Sequence, residues 1–359
     1  MRLNPNINKL VSNIVVVVVG FFLCMGYMTG SDWVNYEIVY EDPSLHIFYE
    51  PAYVLLMNIG YFFKLEFFPF LILIKFFCYF ILVKNIKKYC VDSFLLAFPL
   101  FVSFFGLYLF IDNPLRNLIA IVIFVNALPY FLQKRYKLYF FYFFIALSFH
   151  KSAALAFFFP FLLLLPFQKL KKVLFTSLVV FVGLGVTGMF TKLFTLIISF
   201  IPFFNKFSES YLEEGSDYIM RDSLNAKSVI FIILFIIVLL RDKYQKNKDE
   251  SPLYKFFLLY MVLFIVTVFV PIFDRFTFYF SIYFVIVLSN KAITFANTTR
   301  LNYYALLIMI VVMNTHTMIM NKYVYLPYTN YVSYMFKEKP SFTYRSSYNY
   351  KYSPAINRK

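Results

Sequence analysis

Charge is scarce in this chain. Only 14% of its 359 residues are Asp, Glu, Lys or Arg, whereas 61% are hydrophobic and 23% aromatic, and the mean hydropathy is +0.71. A water-soluble domain of this size cannot hide so much apolar surface. Cysteine is equally rare. The three present, Cys24, Cys78 and Cys90, lie in or beside apolar runs without paired spacing, which argues against a disulfide framework and against a structural metal site. The sequence has no Walker-type phosphate loop, no dinucleotide fingerprint, no HExxH and no GxSxG. ATPase, oxidoreductase, metalloprotease and serine hydrolase readings therefore lose their usual support. There is also no internal repeat, no Gly/Ser linker and no second soluble domain.

The sequence has long apolar runs instead. In lipid every backbone polar group must be satisfied internally, so a spanning chain is either helical or a closed barrel, and only helices give uninterrupted apolar stretches. Val11 to Met28, Phe67 to Val83 and Phe94 to Ile111 are such stretches, each close to the roughly 20 residues that cross a hydrocarbon core of about 30 Å. The first lacks a small-residue cleavage site and reads as a retained helix, not a signal peptide. The formal net charge is +16, but the lysines and arginines sit in short clusters between apolar runs. That is a topogenic pattern, with anionic membrane lipid rather than nucleic acid as partner.

Lys84, Lys87 and Lys88, then Lys134, Arg135 and Lys137, then Lys169, Lys171 and Lys172, then Arg241 to Glu250 and Lys291 to Arg300 mark the cytoplasmic side by the positive-inside rule. The outer turns are residues 29–50, 112–116 and 205–225, the last carrying Glu209, Glu213, Glu214 and Asp217. This predicts an all-α polytopic membrane protein of about 11 helices (10–12) with a cytoplasmic N-terminus. Glu50 to Phe63 is too short for a span and reads as re-entrant or interfacial. Residues 1–322 form one transmembrane domain, and the Tyr-rich stretch 323–359 is an interfacial or partly disordered tail.

Ionisable residues at helix mouths are expensive, and each invites a functional reading beside a plain one. Arg116, in DNPLRN at the mouth of a helix, pairs a guanidinium with helix N-terminal amides, a combination suited to phosphate. The plain alternative is a snorkelling arginine. His150 and Lys151, in ALSFHKSA, form a basic pair that an anion would satisfy, or a simple interfacial cap. Arg275, beside Asp274 in PIFDRFTFYF, either reaches the same ligand or makes a local pair. Asp32, Glu37, Glu41, Asp42 and Glu50 are interleaved with Trp33, Tyr36, Tyr40 and Tyr49. That mixture suits sugar stacking and hydrogen bonding, or an aromatic belt. Asp32 and Glu50, at the lips of apolar segments, are the carboxylates that stand out.

These pieces, in order, resemble a known family. GSDWVNYEIVYED and FYEPAYVLLMNIGYFF, then DNPLRNLIAIVIF, FIALSFHKSAALAFF, FDRFTFYF and YVYLPYTNYV are similar to the EpsG-like, Wzy-type polymerases of bacterial surface polysaccharide. The family more often has glutamine where this chain has Asn117. The resemblance implies a cytoplasmic-membrane glycosyltransferase with its site facing outward. It would join undecaprenyl-pyrophosphate-linked repeat units into a polymer such as O-antigen, with a chain-length regulator and a flippase as neighbours and no cofactor. In that setting Arg116, Arg275 and Lys151 would hold the pyrophosphate, and Asp32, Glu50 and His150 would be the catalytic candidates. Trp33, Tyr36 and Tyr40 would cradle sugars, and no metal is called for. A lipid-linked oligosaccharide flippase or transporter, a membrane acyltransferase and a structural subunit stay open as alternatives. A transporter would show charges deep in its helices and often a repeat.

Overall fold

The fold comes from a computed structural model, and the structure describes residues 5–112, 114–189, 192–193, 196, 229–234, 236, 251–269, 273–295, 297–321 and 325–351. The charged stretches Asn205 to Asn225 and Arg241 to Glu250, and Tyr323 and Tyr352 of the tail, lie outside them. The architecture is all-α, as the composition requires. Among the described residues three helices are both long and apolar enough to cross a bilayer: Phe67–Tyr89, Leu115–Leu132 and Pro252–Phe269. Shorter apolar helices of 10–17 residues accompany them, among them Pro51–Phe62 and Tyr136–Leu147; the expected count of about 11 includes stretches that lie outside the described residues.

The chain divides into two compact units. The first comprises Met1–Ala153 and Ala292–Lys359. It contains α1 (Pro5–Cys24), β1 (Gly26–Tyr27), α2 (Trp33–Glu41), α3 (Pro51–Phe62), α4 (Phe67–Tyr89), α5 (Phe94–Phe101), α6 (Leu115–Leu132) and α7 (Tyr136–Leu147). The 12 residues of α3 rise only about 18 Å at 1.5 Å each, well short of a bilayer. In α4 an apolar run ends on Lys87 and Lys88, cations that complement the carbonyl end of the helix. The Tyr79 hydroxyl of α4 donates to the Val16 carbonyl of α1 at 2.6 Å, and its ring lies over Gly20, where any Cβ would meet it at 2.7 Å.

The apolar run that starts at Phe94 continues helically to Asp112, but with two wide π-helical stretches, Val102–Gly106 and Tyr108–Asp112. Asn314, on the long helix Asn297–Asn321, supplies a reason. Its side-chain amide donates to the Ser103 carbonyl at 2.5 Å, and Ser103 Oγ donates to the Val311 carbonyl at 3.1 Å. A side chain that takes a backbone carbonyl loosens the helical ladder at that point.

The segment after that helix returns to the loops between α1 and α4. β2 (Thr329–Asn330) pairs antiparallel with β1, Tyr331 N–H donates to the Met25 carbonyl at 2.8 Å, and Tyr334 packs on Tyr27 with centroids 4.6 Å apart. A terminal helix, Phe342–Lys351, follows. Residues 325–351, part of the stretch 323–359 expected to be an interfacial or partly disordered tail, include a strand, a 3-10 turn and a helix.

The second unit, Ala154–Lys291, contains the helices Phe167–Val186 and Ser251–Phe269. They approach so closely at Gly185 that a Cβ there would fall 1.8 Å from the Phe269 ring. Lys255 donates to the carbonyls of Leu163 and Leu165 at 2.6 and 2.9 Å. Phe256, Phe257, Tyr260, Tyr283 and Phe284 form a stacked aromatic core, offset ring packing that suits a helix interface.

Candidate functional site

Two of the short strings singled out in the sequence meet in the backbone. Gly30 adopts φ +91, and a Cβ on it would lie 2.0 Å from the Ile111 carbonyl oxygen. Only glycine accepts both that conformation and that approach. Beside it the Ser31 N–H and hydroxyl donate to Asp112 Oδ1 at 3.2 and 2.6 Å, and the Asp32 N–H donates to the Asp112 carbonyl at 3.5 Å. The GSDW string is thereby docked onto the residue that opens DNPLRN, which fixes α2 next to the start of α6.

Arg116 lies in the first turn of α6, where the helix dipole disfavours a cation. Glu50, the residue capping α3, compensates it. The two form a charge-assisted hydrogen bond from the guanidinium Nη1 to the carboxylate Oε2, with side chains 25% and 11% exposed. Aromatic rings enclose the guanidinium: its carbon lies 4.6 Å from the Tyr49 centroid and 5.9 Å from that of Tyr36. Tyr36 also interacts electrostatically with Arg116. A guanidinium over ring faces gains cation–π attraction while its edge stays available to oxygen ligands. Burial pushes the Tyr36 hydroxyl up to about 12, with Asp32 adding to the rise and Arg116 opposing it. It therefore stays neutral and able to donate near neutral pH. Tyr53 completes the group, 5.6 Å from Tyr36 and 5.9 Å from Tyr49.

The same corner gathers His150. The Ala52 N–H of α3 donates to the Ser148 carbonyl at the end of α7 at 3.1 Å. Ser152 bridges His150 Nδ1 at 2.6 Å and Asn117 Oδ1 at 3.1 Å, and Asn117 follows Arg116 on α6. Arg116, Glu50 and His150 are thus brought together from three stretches of chain. Lys151 is exposed beside them, and Asp32 is half-buried, close enough to Tyr49 to act on it electrostatically.

Three donors in this corner are buried with no partner: Arg116 Nε, Asn117 Nδ2 and the Tyr53 hydroxyl. A buried donor without an acceptor costs about 1–3 kcal/mol, so such a group calls for an explanation. Three at one corner of the fold are suited to a ligand rich in oxygen. Among the described residues, no three His, Cys, Asp or Glu side chains cluster as metal ligands.

The residues expected to cradle sugars lie on α2. Trp33, Tyr36 and Tyr40 are 3%, 5% and 2% exposed. Tyr40 is stacked between Tyr61 and Phe70 at 4.6 and 4.8 Å, and its hydroxyl donates to the Leu65 carbonyl at 2.7 Å. These rings are packed against protein; of the aromatic side chains at the site, Tyr49 is the half-buried one. Arg275 belongs to the second unit, on the short helix Asp274–Thr277, and is half-buried beside an exposed Asp274.

Sequence reasoning missed Asp112, Tyr53 and Ser152 as parts of the site. The four-residue spacing of Asp112 and Arg116 about Pro114 was the one available signal, a carboxylate and a cation flanking a helix start. Comparison with curated proteins and with solved structures gives no match. A family model does match: the one described as EpsG family aligns with residues 9–333, and its range takes in Gly30, Glu50, Arg116 and His150. By that match, across most of its length, this helical membrane protein belongs to the EpsG family.

Proposed function

We propose that the chain is a polysaccharide polymerase that joins undecaprenyl-pyrophosphate-linked oligosaccharide repeat units at the outer side of the bacterial cytoplasmic membrane. EpsG membership supports a polymerase-like membrane protein. The observation that carries the reading to this site is the half-buried Arg116, paired to Glu50 and flanked by tyrosines, with three unpartnered donors at the same corner.

In the proposed reaction a sugar hydroxyl of one lipid-linked unit attacks the anomeric carbon of the other. A new C–O bond forms, the bond from that carbon to the pyrophosphate oxygen breaks, and lipid pyrophosphate departs with the electron pair. Arg116, with Lys151 nearby, meets the negative charge that develops on the leaving oxygen. Fixed donors aimed at developing charge are usually the largest single contribution to catalysis. The hydroxyl proton passes to a carboxylate, Glu50 or Asp32, or to His150, each a suitable general base by type. Tyr36, Tyr49 and Asn117 orient the oxygen-rich substrate.

Deleting the gene in its host and running the surface glycan on a gel tests the reading. The expected outcome is a single repeat unit on the acceptor, with the ladder restored by the wild-type gene. Loss of even the single unit from the surface would point to export instead, and an intact ladder in the deletion strain would refute polymerisation by this chain.

A further inference from the structure

Helix α2 is buried on two flanks. Tyr36 and Tyr40 form one i, i+4 pair, and Trp33 and Glu37 form the other; all four are buried. The Tyr36 flank faces Arg116. The Trp33 flank is covered by Arg345, from the terminal helix Phe342–Lys351. Arg345 Nη1 donates to both Glu37 oxygens at 2.7 Å, and its guanidinium carbon lies 5.5 Å from the Phe68 centroid and 5.8 Å from that of Trp33. The pair is well shielded, with side chains 12% and 9% exposed. Lys339 pairs with Glu66 on the same stretch. The EpsG match ends at residue 333, so both cations lie past the aligned region.

We propose that Arg345 is a positioning residue for the Arg116 site: through Glu37 it clamps α2 and so holds Tyr36 against the guanidinium. The assignment of a reaction to that site rests on the polymerase reading; the clamp itself does not. The physical argument is the asymmetry of buried ion pairs. The pair as a whole contributes little to stability, but removing one member leaves a buried charge uncompensated, and the structure must move to hydrate it. Hydration of Glu37 favours a roll or lift of α2, and Tyr36, the adjacent residue on the helix, moves with it. Displacements of about 1 Å at a positioning group can lower turnover up to about a hundredfold.

The sequence holds a single tryptophan, Trp33, and it sits under this clamp, so its fluorescence reads α2 directly. The test compares the full-length wild type, Arg345→Ala and Arg345→Ala/Glu37→Gln in detergent by acrylamide quenching of Trp33, and compares their polymer ladders in the deletion strain. Arg345→Ala should raise quenching severalfold and lower polymer output ten- to a hundredfold. The double variant, which has no buried charge to hydrate, should return both readouts toward wild type, a rescue that loss of arginine packing alone would not give.

The effect should also depend on pH. Burial holds the Glu37 carboxyl above its usual range; Arg345 and, more weakly, Lys339 pull it down, and Glu41 pushes it up. Without Arg345 it rises further. A carboxyl raised in the folded state binds a proton more readily there than when unfolded, so stability is lost as pH rises through its folded value and regained as pH falls. Quenching in Arg345→Ala should accordingly fall as pH is lowered, while that of the double variant stays flat. Unchanged quenching in Arg345→Ala would overturn the clamp, as would a double variant no better than the single. Raised quenching with an undiminished ladder would overturn the positioning role. A wild-type gene that restores no ladder would sink the polymerase reading while leaving the quenching result to decide the clamp.

Discussion

Arg116→Lys should lower polymer output by roughly two to three orders of magnitude, the usual loss when a fixed donor to developing charge is removed, while the protein still accumulates in the membrane. Lysine keeps the charge but not the planar fork. In the wild type that fork donates to Glu50 and lies over Tyr49, with Nε held ready and unpartnered. An ammonium is a point charge on a flexible stem and cannot satisfy a carboxylate, a ring face and a phosphate together. Arg116→Ala is the less informative variant. It strands Glu50, whose side chain is 11% exposed, without its partner, and removing one member of a shielded pair is destabilising, so folding and chemistry would fail at once. Immunoblotting of membranes beside the glycan gel separates the two: full protein with no ladder for lysine, reduced protein for alanine.

Gly30→Ala should be strongly damaging. The added methyl would sit 2.0 Å from the Ile111 carbonyl oxygen, and φ at +91 is a conformation alanine rarely takes. Backbone strain of that kind costs about 1–3 kcal/mol, and relief requires moving Ser31 off Asp112, which undoes the docking of α2 on the start of α6. Monodispersity on size exclusion in detergent and the emission of Trp33, three residues on, measure the outcome. The expected result is a broadened or shifted profile with red-shifted emission, together with loss of the ladder. A Gly30→Ala protein that runs and fluoresces as wild type would mean that the 30–33 docking does not hold the site.

What the sequence made legible follows the range of the forces involved. The spans of α4 and α6 were readable because a continuous apolar run is a local property of the chain. The Phe94 run was read correctly as helical to Ile111, but not its wide turns, because the amide that takes the Ser103 carbonyl comes from Asn314, 211 positions away. Arg116 and Glu50 each stood out alone, as costly charges at helix mouths, yet their pairing across 66 positions has no sequence signature. Nothing near residue 37 announces a partner at residue 345. The order of residues 325–351 was not legible because it depends on a two-residue ladder and on Arg345 finding Glu37, neither of which leaves a periodic pattern. Composition makes the aromatic run 33–40 conspicuous but does not say which rings are packed inward, and Trp33, Tyr36 and Tyr40 all are.

The most direct test is reconstitution. The purified chain is placed in vesicles whose only glycan source is a lipid-pyrophosphate-linked repeat unit, and glycan length and released lipid pyrophosphate are followed together. If the site acts as proposed, products longer than one unit build up with time, one lipid pyrophosphate is released for each linkage, and Arg116→Lys vesicles make neither. Repeat units that cross the bilayer without joining, or a ladder formed equally fast by Arg116→Lys, would contradict it.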